Sequence, residues 1–464
     1  MPRTRRPDTF HLPPQDARSA DAVAEHVVRL IAAGTLAVGD QLPSTRALAL
    51  DAGIPRSRVV RAYELLGAGG YVTAKAGSGV LVAAGRAAAS SVTALPGPSA
   101  RGRSPKRPIS RPRLNLMPGA PDTSLVDERA WRQAWRESSR QVPELDWYRP
   151  NDHDRLSRAL RDHLRRVRGV VADAADIVIF PGVTAAITAV IDAVAPRRAA
   201  MEDPGYRWAR TPLQDNVARV DLLAVDDEGL PVDQLHPAHQ LVYVTPAHQY
   251  PLGGRMPVQR RHELLRWARE HRCVVIEDDF DGEFRHDAPP LGPLRAMAGA
   301  ADQVVYVGTA SKTLTPHLRL AWAVTPPGLT EAVRLAASRR RADVCLITSG
   351  ALASFIESGA MAKHLARTQR TYAARRQRLV AALSEQLPEL RLTGADSGMH
   401  LTARWLGGRE DVEVVDRLRK RGLATAALSS YGVEHRPNGL LLGYAQLPET
   451  AATGAVRDIA RALD

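Results

Sequence analysis

From Leu114 onward, short apolar runs alternate with longer helical stretches, and nothing else in the chain restricts its fold so tightly. "DIVIF" (176–180), "LVYVTP" (241–246), "CVVIEDD" (273–279) and "VVYVG" (304–308) each stop at a turn or at polar residues. A helical stretch such as "PVQRRHELLRWAREH" (257–271) lies between two of them. Strands separated in this way are not joined as hairpins, so the pattern predicts an α/β unit around a mostly parallel sheet. No internal repeat is visible.

Upstream the pattern breaks. "GRAAASSVTALPGPSARGRSPKRPISRPR" (85–113) is rich in Ala, Ser, Pro and Arg and has no apolar periodicity. It reads as a flexible tether between a segment at 1–84 and the α/β unit at 114–464. The net charge of +13 is concentrated there: residues 1–85 carry +3, residues 86–113 carry +7 without a single acid, and the rest about +3. A basic tether suits a polyanion; a general arginine bias of the chain would give the same composition. The apolar runs are short and broken by charge, so no membrane span is expected. "MPRTRRPDTF" has no apolar core behind its charges and is not a secretory signal. Cys273 and Cys345 are far apart, with neither disulfide nor metal-ligand spacing. A cytoplasmic protein is expected.

Residues 1–84 read as a DNA-binding head. "AVAEHVVRLIAAGTL" places Val23, Val27, Leu30 and Ile31 at helical spacing. "LPSTRALALDAGIPRSRVVRAYELLGAGGYV" then holds two helices. Ser44 can cap the first, Gly53 can end it, and Pro55 can open the second. Val59, Val60, Tyr63 and Leu66 can face a core. Arg56, Ser57, Arg58 and Arg61 fall on the other side or at the N-terminal end, where a recognition helix meets base edges. "YVTAKAGSGVLVA" reads as a hairpin around Gly77-Ser78-Gly79. A small helical domain with an arginine-coated surface is the plainer alternative.

In the α/β unit, "GTASKTLTPHLRLAW" (308–322) draws attention because lysine is scarce here and nearly every other basic residue is arginine. A Schiff base to an aldehyde needs a secluded lysine that can lose its proton. Thr309, Ser311 and Arg319 around Lys312 offer what a phosphate needs. "VIFPGVTAAITAV" is a strand, a turn and a helix whose first amides, on Val183 and Thr184, favour an anion; an ordinary βα turn reads the same way. "CVVIEDDFDGEF" ends in acid, and Asp278 can keep a pyridinium nitrogen protonated; a solvated strand end is the alternative. Tyr206 in "EDPGYRWAR" can stack on a ring, with Arg207 and Arg210 near it. His248 and Tyr250 in "TPAHQYPLGG" can hold a ring hydroxyl.

Two resemblances join these pieces. "GDQLPSTRALALDAGIPRSRVVRAYELLGAGGYVTAKAGSGVLVA" is similar to the winged helix-turn-helix of GntR-type bacterial regulators. That implies DNA contacts at Ser44, Arg46, Arg56, Ser57 and Arg58, with Gly77 approaching the minor groove. The order Val183-Thr184, Tyr206, PLGG, Asp278, Ser311-Lys312, Arg319 resembles fold-type-I pyridoxal-phosphate enzymes. More closely, "EDDFDGEFR", "TPAHQYPLG", "EDPGYRWAR" and "GTASKTLTPHLRLAW" resemble the MocR/GabR family of transcription regulators. The resemblance implies a winged head tethered to an aminotransferase-like domain. That domain would have a mostly parallel sheet with helices on both faces, and a smaller C-terminal α/β subdomain. It also implies pyridoxal phosphate on Lys312, double-stranded promoter DNA as partner, a head-to-tail homodimer and a small-molecule effector.

The departures are specific. Phe280 stands where the family has a tyrosine that hydrogen-bonds the ring hydroxyl. Leu441 in "NGLLLGYA" stands where amino-acid-sensing members place a carboxylate-gripping arginine, and Trp208 replaces another arginine of the GABA-sensing branch. Arg207 remains a candidate for ligand binding. Without its clamp the domain is a poor transaminase, and the vitamin itself becomes the candidate signal. The expectation is a pyridoxal-phosphate-dependent transcription regulator of vitamin B6 or amino-compound genes. An active aminotransferase with an appended DNA-binding head is the alternative, and an empty dimerisation scaffold is a third.

Overall fold

A computed structural model describes residues 10–75, 79–85, 88, 112–140, 153–286, 291–394 and 396–464. Internal contacts divide the chain into two units, Met1–Ile109 and Ser110–Asp464. Among the described residues, no helix is long and apolar enough to cross a membrane.

The first unit packs three helices against a hairpin. Helix α1 (Ala20–Ala33) starts at Ser19, whose hydroxyl accepts from the Ala22 N–H at 3.1 Å, and stops at Gly34 in the left-handed conformation. Helix α2 (Thr45–Asp51) is capped as the sequence predicts, with the Ser44 hydroxyl accepting from the Ala47 N–H at 3.1 Å. Gly53, at φ +61°, makes the turn into α3 (Arg56–Ala68). Strands β1 (Val72–Lys75) and β2 (Gly79–Val82) pair antiparallel as the wing. Val23, Val27, Ile31, Leu48, Val59 and Leu66 close the core; Leu30 packs half-buried against it, while Val60, also half-buried, lies outside that cluster.

In the second unit, β3 (Leu114–Asn115) precedes a seven-stranded sheet. That sheet holds β4 (Ile177–Phe180), β5 (Arg198–Asp203), β6 (Arg219–Ala224), β7 (Leu241–Val244), β8 (Val274–Asp278), β9 (Val304–Thr309) and β10 (Ala321–Val324). The order is β4-β10-β9-β8-β7-β5-β6, and only β10 runs antiparallel to its neighbours. The four runs singled out in the sequence are β4, β7, β8 and β9. Helices α4 (Glu128–Ser138), α5 (Asp154–Arg168), α6 (Val183–Val194), α7 (Arg207–Asn216), α8 (Val258–Glu270), α9 (Thr330–Arg339), α10 (Leu346–Glu357) and α11 (Ala360–Gln386) accompany it. Apart from the edge strand β6, which is only half-buried, the strands are covered on both faces, so successive residues alternate between two apolar layers. On β8, Ile276 packs in the same layer as Val178, Ile187 and Tyr243, whereas Val275 joins Val242, Leu264 and Leu265.

A smaller antiparallel sheet follows, ordered β11 (Arg391–Thr393), β12 (His400–Arg404), β15 (Gly439–Gly443), β14 (Ala426–Ala427). Helices α12 (Asp411–Lys420) and α13 (Ala452–Leu463) belong to this part, and β13 (Leu423–Ala424) pairs in parallel with β3. The residues at the start of this unit thus lie beside its C-terminal part.

Candidate functional site

Parallel strands end on one edge of a sheet, so their loops converge there. The loops after β4, β5, β8 and β9 here line one cavity of about 950 Å³. It contains Val183, Thr184, Tyr206, Tyr250, Asp278 and Phe280. Thr309, Ser311, Lys312 and Arg319 complete the same wall. The sequence motifs, up to 136 residues apart, therefore meet.

Three consecutive acids close β8, and only one faces the cavity. Glu277 is buried against the backbone amides of Leu294 and Arg295, at 2.6 and 2.9 Å. Asp279 is buried in an ion pair with Arg168 at 2.6 Å and accepts from the Tyr306 hydroxyl at 2.9 Å. Asp278 accepts from the Tyr243 hydroxyl through Oδ2 at 2.7 Å, while its buried Oδ1 has no partner among the described residues. Burial pushes the Asp278 carboxyl up to about 7, against the Tyr243 hydrogen bond. An orphaned acceptor on the cavity floor is what a protonated ring nitrogen would satisfy.

Lys312 follows β9 on a tight turn. The Thr309 hydroxyl makes that turn, donating to the Leu320 carbonyl at 3.1 Å and accepting from the Ser311 N–H at 3.1 Å. It is therefore committed to the backbone rather than free for a ligand, while Ser311 is half-exposed at the cavity wall. Withdrawal from water lowers the Lys312 pKa, and Asp281 and Asp278 oppose the shift. Its Nζ donates to the Gly119 carbonyl at 3.1 Å. Arg319 is exposed and left-handed at φ +47°. The first-turn amides of α6, at Val183 and Thr184, have no acceptor within their own helix.

Two further expectations about this site need correction. His248 does not line the cavity: it is buried, with Nδ1 3.0 Å from Asp281 Oδ2, and its ring lies 6.0 Å from that of Phe280. The motif carries it onto the far side of Phe280. Arg207 is exposed and outside the lining, with its guanidinium 5.0 Å from the Trp208 ring. Arg210, the other arginine near Tyr206, donates to the Tyr431 carbonyl at 3.3 Å and lies 4.0 Å from Asp203. Leu441 is fully buried in an apolar cluster with Tyr250, Phe280 and Tyr431 and lies outside the cavity lining, so that position offers the cavity no cation.

Sequence reasoning missed Tyr243 and Gly119. Tyr243 is an alternate residue of an apolar strand, and Gly119 lies 193 residues from the lysine it touches, so no local pattern marks either.

On the head, Ser44, Arg46, Arg56 and Ser57 are exposed. Arg56 Nε donates to the Thr45 hydroxyl at 3.3 Å, joining the start of α3 to that of α2. Arg58 differs from the expectation. Its Nη1 donates to the Ala17 carbonyl at 2.7 Å, so the side chain folds back on the head's own chain. Gly77 lies outside the described residues, as does most of the tether.

Comparison with known proteins gives two family matches. Residues 113–459 match the family "Aminotransferase class I and II". Residues 19–82 match "Bacterial regulatory proteins, gntR family". The chain is 34% identical to the HTH-type pyridoxine biosynthesis transcriptional regulator PdxR of Corynebacterium glutamicum, over 95% of each chain. It is 31% identical to the probable rhizopine catabolism regulatory protein MocR of Rhizobium meliloti, over 91% of this chain and 90% of that one. It is 30% identical to the HTH-type transcriptional regulator TauR of Rhodobacter capsulatus, over 98% and 99%. Among solved structures, an archaeal alanine:glyoxylate aminotransferase matches with a TM-score of 0.69 at 20% identity. That match covers 75% of this chain and 90% of the other, and at such identity it speaks for the fold alone.

Proposed function

We infer, for a chain that belongs to the pyridoxal-phosphate-dependent transcription regulators joining a GntR-type head to an aminotransferase class I and II domain, that the large cavity is its sensor and that the sensed molecule is the B6 aldehyde itself. One observation carries this reading. A secluded lysine and a buried carboxylate oxygen without a partner line the same cavity as a helix start and an arginine.

Each residue then has a task. Lys312, its proton loosened by burial, captures the aldehyde. Asp278 holds the ring nitrogen's proton through Oδ1. Tyr206 covers a ring face. The Val183 and Thr184 amides, with Ser311 and Arg319, take the phosphate. Bound pyridoxal phosphate supplies an electrophilic carbon and an electron-withdrawing ring. The residues named here orient it and exclude water.

The choice of effector follows from the leucine at position 441. Leucine, buried against Tyr250, Phe280 and Tyr431, stands where an arginine would grip a substrate carboxylate. A charge-assisted hydrogen bond of about 1.5–3 kcal/mol is missing. Amino-acid substrates are therefore disfavoured, and so is efficient transamination. The relative named as a regulator of pyridoxine biosynthesis supports the same choice.

Purified protein is titrated with pyridoxal phosphate, followed by visible absorption, and trapped with borohydride. A mass adduct on Lys312, absent from Lys312→Ala, is expected. Promoter-fragment mobility should change over the same concentration range. A shift driven only by an added amino compound, with the vitamer inert, would instead support an amino-compound sensor.

A further inference from the structure

Lys312 Nζ reaches across the second unit to one backbone carbonyl, that of Gly119. Gly119 lies in "MPGAPD", the loop that follows β3 and so the first loop after the tether. Two observations make this contact more than incidental. Gly119 is left-handed at φ +66°, and a Cβ there would lie 2.6 Å from Nζ and 3.1 Å from Cε. Only glycine lets this backbone approach the lysine so closely.

The second observation is how the loop is held. On one side β3 pairs with β13, the Leu116 N–H donates to the Ala424 carbonyl at 2.7 Å, and the Leu116 carbonyl accepts from the Gly443 N–H at 2.8 Å. On the other side the Asp122 N–H donates to the Tyr372 hydroxyl at 2.9 Å, and Gln446 Nε2 donates to the Pro121 carbonyl at 2.8 Å. Between these anchors, among the described residues, Pro118, Gly119 and Ala120 have one hydrogen bond, and it comes from Lys312.

We propose that the Lys312–Gly119 hydrogen bond is a latch, closed while the lysine amine is free and opened when that amine captures the aldehyde. It rests on the reading of Lys312 as the capturing amine. The neutral amine carries two hydrogens. When its nitrogen forms a double bond to the aldehyde carbon, both leave with the carbonyl oxygen as one molecule of water. The nitrogen then lacks the freely rotating hydrogens through which it donates to the Gly119 carbonyl. Occupancy of the cavity is thereby registered in the loop that leads back to the tether.

Hydrogen exchange read by mass spectrometry on peptides covering 114–125 of the full chain tests this. Wild type without vitamer should exchange slowly there, and pyridoxal phosphate should speed exchange roughly two- to tenfold, the range one net hydrogen bond corresponds to. Lys312→Ala should be fast with or without vitamer, because the donor is gone. Lys312→Arg should stay slow in both states, since it donates but does not condense. Gly119→Ala, which displaces Nζ and keeps the lysine, should be fast without vitamer and still yield the trapped adduct. Slow exchange in Lys312→Ala or Gly119→Ala, or slower exchange in loaded wild type, overturns the latch. A Lys312 adduct with unchanged exchange refutes the latch alone, whereas no adduct at all refutes the cofactor assignment beneath it.

Discussion

Asp278 shows how burial gives one acid of three a separate chemistry. Its pKa is raised to about 7 in the folded protein, chiefly by desolvation, against about 3.9 in an unfolded chain. The folded state therefore binds an extra proton between those values. The stability this confers is complete below about 4 and is lost as pH rises through about 7. Thermal midpoints of the vitamer-free protein should fall between about pH 4 and 7, and Asp278→Asn should reduce that fall. Glu202, Glu277 and Glu283 are also pushed to about 7 by burial, so part of the slope will remain. An unchanged slope in Asp278→Asn would mean that its carboxyl is already ionised when the cavity is empty. Phe280 is a second test at single-residue level. It lines the cavity with its ring edge-on to Tyr250 at 5.4 Å. Phe280→Tyr adds a donor there, so the pH at which the bound cofactor's visible band changes should move, with little change in stability.

Secondary-structure elements carry the next layer, and here the pair Arg168–Asp279 matters most. It joins the end of α5 to the loop after β8, with both side chains almost wholly buried, and Arg168 Nη1 also donates to the Gly282 carbonyl at 2.6 Å. Removing one partner leaves a buried charge unpaired, so Arg168→Ala should cost about 3–5 kcal/mol in urea unfolding of the effector unit. Arg168→Lys should recover only part of that, because a lysine lacks the two-pronged geometry. In the head, Ser44→Ala should cost about 1 kcal/mol by leaving an amide at the start of α2 uncapped. The same layer explains what the sequence disclosed. Apolar runs and turn residues located β4, β7, β8, β9 and the three helices of the head, because period and capping are local properties. The order of motifs gathered nine of ten cofactor candidates into one cavity, since loops after parallel strands share an edge. Facing was not local. His248 lies behind Phe280, and Arg58 turns inward to Ala17, because the packing that orients them comes from distant segments. Gly119 escaped for the same reason.

Across the whole chain, the head and the sensor are joined by residues whose composition has its own consequence. We propose two chains per functional unit, so that two heads engage two half-sites and gain avidity from the connection. Deleting residues 1–84 should then abolish sequence-specific binding while leaving the visible absorbance intact. A truncated protein that still footprinted a site would show that DNA recognition lies elsewhere. The tether's +7 charge, unrelieved by any acid, acts differently from the head. Each phosphate it neutralises steepens the fall of log K with log salt by about 0.9. Replacing its seven basic residues with serine should therefore flatten that slope by at most about 6 per chain. Affinity for promoter and for random DNA should drop by the same factor, because backbone contacts carry no sequence information. If the charge-free tether instead lost promoter binding selectively, the tether would be reading bases or fixing the spacing of the heads.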